Sequence, residues 1–386
     1  MRKYFEFYSG VKIKCGESAL ATIGTELAAL GCHKPIFLSS QNAEKLGVAD
    51  KVKAVLANVG SRDMVCFLGI PTTVDTELVA HIKERYVTND CDGIIALGGD
   101  GVMDTAKCLK LFLSQNCDEI IPLAGASCDA FHKVPMIVIP TENGSGKEAS
   151  GFFESGEYYV SSASIMPDVV IIDEDTAMAA PSRTIAACGV YALANAIEGY
   201  LGSEDEEPSG VYAEKAIRLL ANNLERAVRD GEDEDACRAT ALAATYAGIA
   251  YGQNPFGAAH ALAEGMSEVA GEPVEEMFGI VLVPAIEMAC AVYSERVKAL
   301  LVNICGTTVY AETPDSERAK RAITAIAELL ERLRDTANIP TKISQTKISR
   351  ECFGEIAQAA ANKRSAITSF NPIGKKDFLK LLNEAY

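Results

Sequence analysis

The sequence has no apolar run approaching the ~20 residues a membrane-spanning helix needs, so no stretch of it marks a span. It also has no CxxC pair. Its twelve cysteines stand singly along the chain, which excludes a zinc knuckle and a redox dithiol and suits a reducing compartment. Cys66 in MVCFLGI and Cys108 in TAKCLKLF read as small buried hydrophobes. Basic residues are short: 36 Lys and Arg face 53 Asp and Glu, a formal net charge of -17. That deficit excludes nucleic acid and an anionic membrane surface as partners. An anionic ligand would need a local device, such as backbone N–H groups at a helix N-terminus. The opening MRKYFEFYSGVKIKCG lacks the apolar core and cleavage site of a signal peptide and reads as an edge strand, so a cytoplasmic protein is expected.

What is present divides in two. A chain of 386 residues exceeds one ordinary core. Residues 1–180 alternate short apolar runs with amphipathic stretches, the pattern of βαβ units and a parallel sheet. The runs lie at 35–40, 64–70, 93–99, 135–141 and 168–174. Residues 181–386 show only helical periodicity, over 182–201, 209–230, 233–252, 257–270, 274–293, 315–337 and 349–363. The helix at 209–230 places Val211, Ala216, Leu219, Leu220 and Leu224 on one side, and 182–201 is apolar nearly all round and should be buried. The expected architecture is an α/β domain of dinucleotide-binding, Rossmann-like type followed by an all-helical domain, with the ligand cleft between them.

Two glycine loops carry the chemistry. In the first, the buried strand GIIAL runs through Gly98, Gly99, Asp100 and Gly101 directly into a helix. Such a turn offers free N–H groups and a helix dipole to an anion such as a pyrophosphate. It is not G-x-G-x-x-G, because Asp104 stands at the third glycine. The second loop, Thr141-Glu142-Asn143-Gly144-Ser145-Gly146-Lys147-Glu148, also follows a buried strand. A P-loop reading of it fails, since no glycine lies five positions before Gly146 and Glu148 replaces the magnesium-binding hydroxyl. Two such loops at neighbouring strand ends suit a dinucleotide on an open sheet.

These segments resemble those of the iron-containing alcohol dehydrogenases, within the dehydroquinate synthase-like superfamily. Gly98-Gly99-Asp100-Gly101-x-x-Asp104-x-Ala106-Lys107 is similar to GGGSxxDxAK, and Ile139-Pro140-Thr141 with Gly144 to Glu148 is similar to IPTTxGTGSE. Pro167 to Asp173 resembles PDxxxxDP, GVYALANAIEGY (189–200) resembles GxDALxHAIEAY, and Ala247 to Ala263 resembles AGxAxxNxxxGxxHAxAH. Asn371-Pro372 and DFLKLLNEAY resemble the family's last helix. The segments occur in the family's order along the whole chain.

The resemblance implies hydride transfer between a small alcohol or aldehyde and NAD or NADP, in a protein expected to be a homodimer. It assigns Gly98, Gly99, Asp100 and Gly101 to the pyrophosphate, and Asp104, Thr141 and Ser145 to the cofactor cleft. Ser39 and Ser40 fall where many members carry a ribose-binding aspartate. Two hydroxyls there favour NADP over NAD. The family's metal, iron or zinc, is held by one Asp and three His. The corresponding positions here are Tyr191, Asn195, His260 and a position near Phe278, so only His260 is retained and the site is expected to be lost. Glu264 follows His260 at four-residue spacing. In place of the metal, Tyr191 and His260 are expected to act as proton or hydrogen-bond donors, with Asn195 orienting the substrate oxygen. Two alternatives stay open: an NAD-dependent lyase or cyclase of the dehydroquinate synthase type, and a non-catalytic NAD(P)-binding protein.

Overall fold

A computed structural model describes residues 7–60, 64–120, 133–141, 144–155, 158–178, 180–203, 207–253, 257–367 and 372–386. Cys128, His132, Glu142, Asn143 and Asn371 lie outside the described residues. The chain forms two compact units: Tyr8–Ala180, and Pro181–Tyr386 together with Phe7. Phe7 stacks on the Tyr212 ring, 5.9 Å between centroids, and so belongs with the second unit.

The first unit is built on strands β1 (Lys12–Cys15), β2 (Pro35–Ser40), β3 (Cys66–Ile70), β4 (Gly93–Gly98), β5 (Met136–Pro140), β6 (Phe152–Ser155), β7 (Tyr158–Ser161) and β8 (Val169–Ile172). Its helices are α1 (Ile23–Leu30), α2 (Gln41–Lys45), α3 (Val48–Asn58), α4 (Thr76–Thr88), α5 (Asp100–Gln115) and α6 (Glu174–Ala177). Six strands form one parallel sheet in the order β1-β8-β5-β4-β2-β3, with β1 at an edge as its alternation predicts. Strands β4 and β5 are buried throughout, which is why each reads as an unbroken apolar run rather than an alternating one. The connection from β2 goes out to β3, and the chain then returns to the other side of β2 for β4. The strand order reverses between β2 and β4, and in an open α/β sheet ligands bind at the carboxyl ends flanking such a reversal. The hairpin β6–β7 was not visible as strands in the sequence; it pairs antiparallel beside the second glycine loop. Cys108 is buried as read, but Cys66 is exposed because β3 is the far edge of the sheet.

The second unit is all helix among its described residues: α7 (Ser182–Gly202), α8 (Pro208–Arg229), α9 (Glu234–Gln253), α10 (Ala258–Ala270), α11 (Val274–Cys290), α12 (Ser294–Glu312), α13 (Asp315–Ala337), α14 (Phe353–Asn362), α15 (Arg364–Ile367) and α16 (Lys375–Glu384). Helix α7 is buried from Ile185 to Gly202, so its all-round apolarity does mark a central helix. The apolar face of α8 is shifted from the reading above. Ala213, Ala216, Ile217, Leu220, Leu224 and Ala227 are buried, whereas Val211 is 70% exposed in the first turn. Helix α12 was missed because Gly306, at φ 86°, breaks it and interrupts the helical period.

Candidate active site

At the carboxyl ends of β4 and β5 the two glycine loops converge. Gly98 ends β4 at φ 154°, and a Cβ there would lie 2.7 Å from Val102 and 3.0 Å from the Ser40 side chain. Gly99 caps α5 without a side chain; its carbonyl accepts from the Val102 N–H at 3.1 Å and the Met103 N–H at 3.2 Å, and no side-chain cap covers the N–H groups of Asp100 and Gly101. Gly101 is a glycine for a protein reason: its Cβ would lie 2.4 Å from the Pro71 carbonyl oxygen and 2.5 Å from Thr72 Cα. The two loops are tied together by Ser145 Oγ, which donates to Asp100 Oδ1 at 2.6 Å, and by the Thr141 N–H, which donates to the Gly98 carbonyl at 3.3 Å.

Beneath the loops lies a buried charge cluster. Lys147 Nζ donates to Asp104 Oδ2 at 2.8 Å and stands 3.9 Å from Asp100 Oδ2 and 3.8 Å from Glu154 Oε2. Lys107 is buried and donates to the Lys147 carbonyl (2.6 Å), Ser150 Oγ (2.9 Å) and the Phe152 carbonyl (2.7 Å). Burial pushes the Asp104 carboxyl up to about 6 against the pull of the two ammonium groups. Burial likewise lowers Lys107 to about 8, opposed by Asp104. Two side-chain oxygens of this cluster have no hydrogen bond among the described residues: Asp104 Oδ1, in a residue 5% exposed, and Thr141 Oγ1, in a residue 2% exposed. Buried polar atoms are rarely left unmatched, so these two fit a bound polar ligand. A phosphate- and ribose-bearing dinucleotide supplies the complementary groups, and the residues present fit it.

Ser39 and Ser40 behave differently from each other. Ser39 is fully buried within β2, its Oγ turned toward the Ser40 carbonyl at 3.4 Å. Ser40 stands at the strand end and N-caps α2 by accepting from the Ala43 N–H at 3.1 Å.

In the helical unit the structure gathers Tyr191, His260 and Phe278. The Tyr191 and Phe278 rings stack at 4.4 Å, and the His260 ring lies 4.7 Å from Phe278 and 5.6 Å from Tyr191. Tyr251 stacks on His260 at 4.2 Å. Asn195 is buried on α7, one turn after Tyr191. One turn further on, Glu198 reaches α10: its Oε1 accepts from the Ala259 N–H at 2.8 Å, and its Oε2 bonds His260 Nδ1. His260 is 2% exposed, and its Nε2 has no hydrogen-bond partner among the described residues. The approach of Glu198 explains Gly257, where a Cβ would lie 1.8 Å from the carboxyl carbon. Glu264 is half-buried on α10, and among the described residues no group of three or more His, Cys, Asp or Glu could hold a metal ion. A phenol, an amide, one imidazole already bonded to a carboxylate and a phenyl ring do not fit a divalent metal.

The i, i+4, i+7 spacing of Tyr191, Asn195 and Glu198 puts all three on one face of helix 182–201, but nothing in the sequence assigned Glu198 a partner or a role; Lys147, which stands at the serine of the GTGSE pattern, was not read as a site residue.

A parallel α/β unit with a polar cradle at its switch point, followed by an all-helical unit, is the build of a two-domain enzyme. The family model for iron-containing alcohol dehydrogenases matches residues 10–174, and that for the C-terminal part of the Fe-containing alcohol dehydrogenase family matches 185–386. The chain is 30% identical over 372 residues to a choline dehydrogenase of Bacillus subtilis (strain 168), covering 93% of this chain and 90% of the relative. It is 25% identical over 381 residues to a 1,3-propanediol dehydrogenase of Citrobacter freundii, covering 96% of each. The solved structure of an alcohol dehydrogenase from Oenococcus oeni superposes with a TM-score of 0.90 at 25% identity, covering 99% of this chain and 100% of that one. The chain therefore belongs to the iron-containing alcohol dehydrogenase family and is an oxidoreductase of the alcohol dehydrogenase type.

Proposed function

We propose that this protein interconverts a small alcohol and its aldehyde or ketone with a nicotinamide dinucleotide seated on the glycine loops of the α/β unit. The observation that carries the cofactor is the pair of unmatched buried oxygens, Asp104 Oδ1 and Thr141 Oγ1, under the uncapped N-terminus of α5. Gly98, Gly99, Asp100 and Gly101 border the pyrophosphate, and Asp104, Thr141 and Ser145 line the cofactor cleft beside it. When bound, the cofactor supplies the hydride acceptor or donor. His260 takes the hydroxyl proton of the alcohol at Nε2, the nitrogen left open while Glu198 holds Nδ1, and returns it in the reverse direction. Tyr191 donates a hydrogen bond to the substrate oxygen and Asn195 orients it. The poor donor set at 191, 195, 260 and 278 supports chemistry without a metal at these positions. The eleven free cysteines among the described residues support a reducing, cytoplasmic setting.

An uncharged side chain at Ser40 supports NADP, because no carboxylate there repels a 2′-phosphate; Ser39 is buried and contributes nothing to the choice. A second reading, NAD, is favoured by Glu44 in the first turn of α2. Its Oε1 is buried without a partner and would accept from a ribose hydroxyl. The test is the absorbance of reduced cofactor on adding choline, methanol or 1,3-propanediol with NADP or NAD, and its loss on adding the matching aldehydes. Turnover with either dinucleotide supports the proposal. Dinucleotide binding with no turnover across primary alcohols and aldehydes would overturn it in favour of a binding protein.

A further inference from the structure

Two charged residues stand where the family's loop motifs carry uncharged ones: Asp100 at the third glycine of GGGS, and Lys147 at the serine of GTGSE. They lie 47 positions apart in sequence, yet Lys147 Nζ is 3.9 Å from Asp100 Oδ2. Asp100 is the first residue of α5, where a carboxylate is stabilised by the helix dipole and occupies the same electropositive end that a pyrophosphate would use. Two anions cannot share one helix end without a cation beside them. Lys147 is the nearest cation, and its placement is rigid. Its side chain is bonded to Asp104, and its carbonyl is fixed by Lys107. The unmatched Thr141 Oγ1 and Asp104 Oδ1 mark the same place as one that receives a ligand.

We propose that Lys147 is the counter-charge that lets a dinucleotide pyrophosphate sit beside Asp100, and that the two residues work as a coupled pair in place of the family's glycine and serine. Removing Lys147 alone leaves Asp100, Asp104 and Glu154 facing the ligand with their nearest ammonium gone. Removing both residues restores the uncharged motif. The inference rests on the dinucleotide assignment above.

The test is calorimetric titration of NAD and NADP into the full chain and four variants, each first checked for its unfolding temperature. K147S should weaken binding of the preferred dinucleotide roughly 10- to 100-fold, as loss of a nearby opposite charge requires. D100G removes the repelling carboxylate and also the bond from Ser145, so it should weaken binding less than K147S does. D100G/K147S should recover to within about threefold of the parent, a coupling that independent sites do not show. K147R, which keeps the charge if K147S unfolds, should bind within about fivefold of the parent. Parent-like affinity in K147S, or a double variant no tighter than K147S, overturns the proposal while leaving the dinucleotide assignment standing. If K147S is unfolded, a K147R variant that unfolds at the parent temperature yet binds as weakly as K147S was expected to, roughly 10- to 100-fold below the parent, would overturn it equally. No binding of either dinucleotide by the parent overturns both.

Discussion

Glu198→Ala tests the centre of the helical unit. The carboxylate is buried and holds two donors, the Ala259 N–H at 2.8 Å and His260 Nδ1. Each hydrogen bond to a charged group is worth about 1.5–3 kcal/mol, and truncating one member of a buried pair strands the other. The alanine variant should therefore lose about 3–5 kcal/mol of stability. For a domain of this size that lowers the midpoint of thermal unfolding by about 6–20 °C, at roughly 2–4 °C per kcal/mol. Glu198→Gln keeps an acceptor for Ala259 and offers its amide to Nδ1 once the ring adopts its other tautomer, so it should cost only about 1–2 kcal/mol. Circular dichroism in the helical band is the suitable readout, because the chain has no tryptophan and its helices lie mainly in this unit. An alanine variant within about 0.5 kcal/mol of the parent, the range of an ordinary surface change, would refute the pairing. So would a glutamine variant as costly as alanine.

Gly101→Ala should lose about 1–3 kcal/mol, because its Cβ would meet backbone atoms of Pro71 and Thr72 that cannot swing aside; parent-like thermal unfolding would count against the packing. Asp104 gives a pH test. Burial holds its carboxyl at about 6, above its ordinary 3.8, so between about pH 4 and 6 the native state keeps a proton that the unfolded chain has released. Its contribution is full below about pH 4 and lost as pH rises through 6, so the parent's stability relative to Asp104→Asn should fall across that window by at most about 3 kcal/mol. A pH-independent difference between the two proteins would contradict it. Tyr191→Phe keeps the stacked ring and removes the hydroxyl, and should lower turnover at least about tenfold with unchanged unfolding temperature. Turnover at the parent rate would show that the ring serves only to fill the core.

Much of the fold was legible because local pattern and burial agree. The central strands β4 and β5 are buried throughout and read as apolar runs, and α7 is buried from Ile185 to Gly202 and looks it. The failures have local causes. The face of α8 was taken one step too early because Val211 is apolar although it sits in an exposed first turn. Helix α12 carries a break at Gly306, and the strands of the β6–β7 hairpin are only four residues long. The candidate site was legible as loops but not as pairs. No sequence spacing joins Glu198 to His260 or Lys147 to Asp104, because those contacts are made by helices and loops 62 and 43 positions apart. Ser39 and Ser40 look equivalent as neighbours on the chain, yet the pleat of β2 sends one into the core and leaves the other to cap α2.

The central claim is that the glycine loops of the α/β unit bind a nicotinamide dinucleotide. Titration calorimetry of NAD and NADP into the parent protein and into Gly99→Val addresses it directly, since a side chain at the cap of α5 blocks the close backbone approach that a pyrophosphate requires. Saturable binding of one dinucleotide per parent chain is expected, with no binding to a Gly99→Val variant that unfolds at the parent temperature. Equal affinity in the two proteins, or no binding heat from either dinucleotide in the parent, would contradict the account.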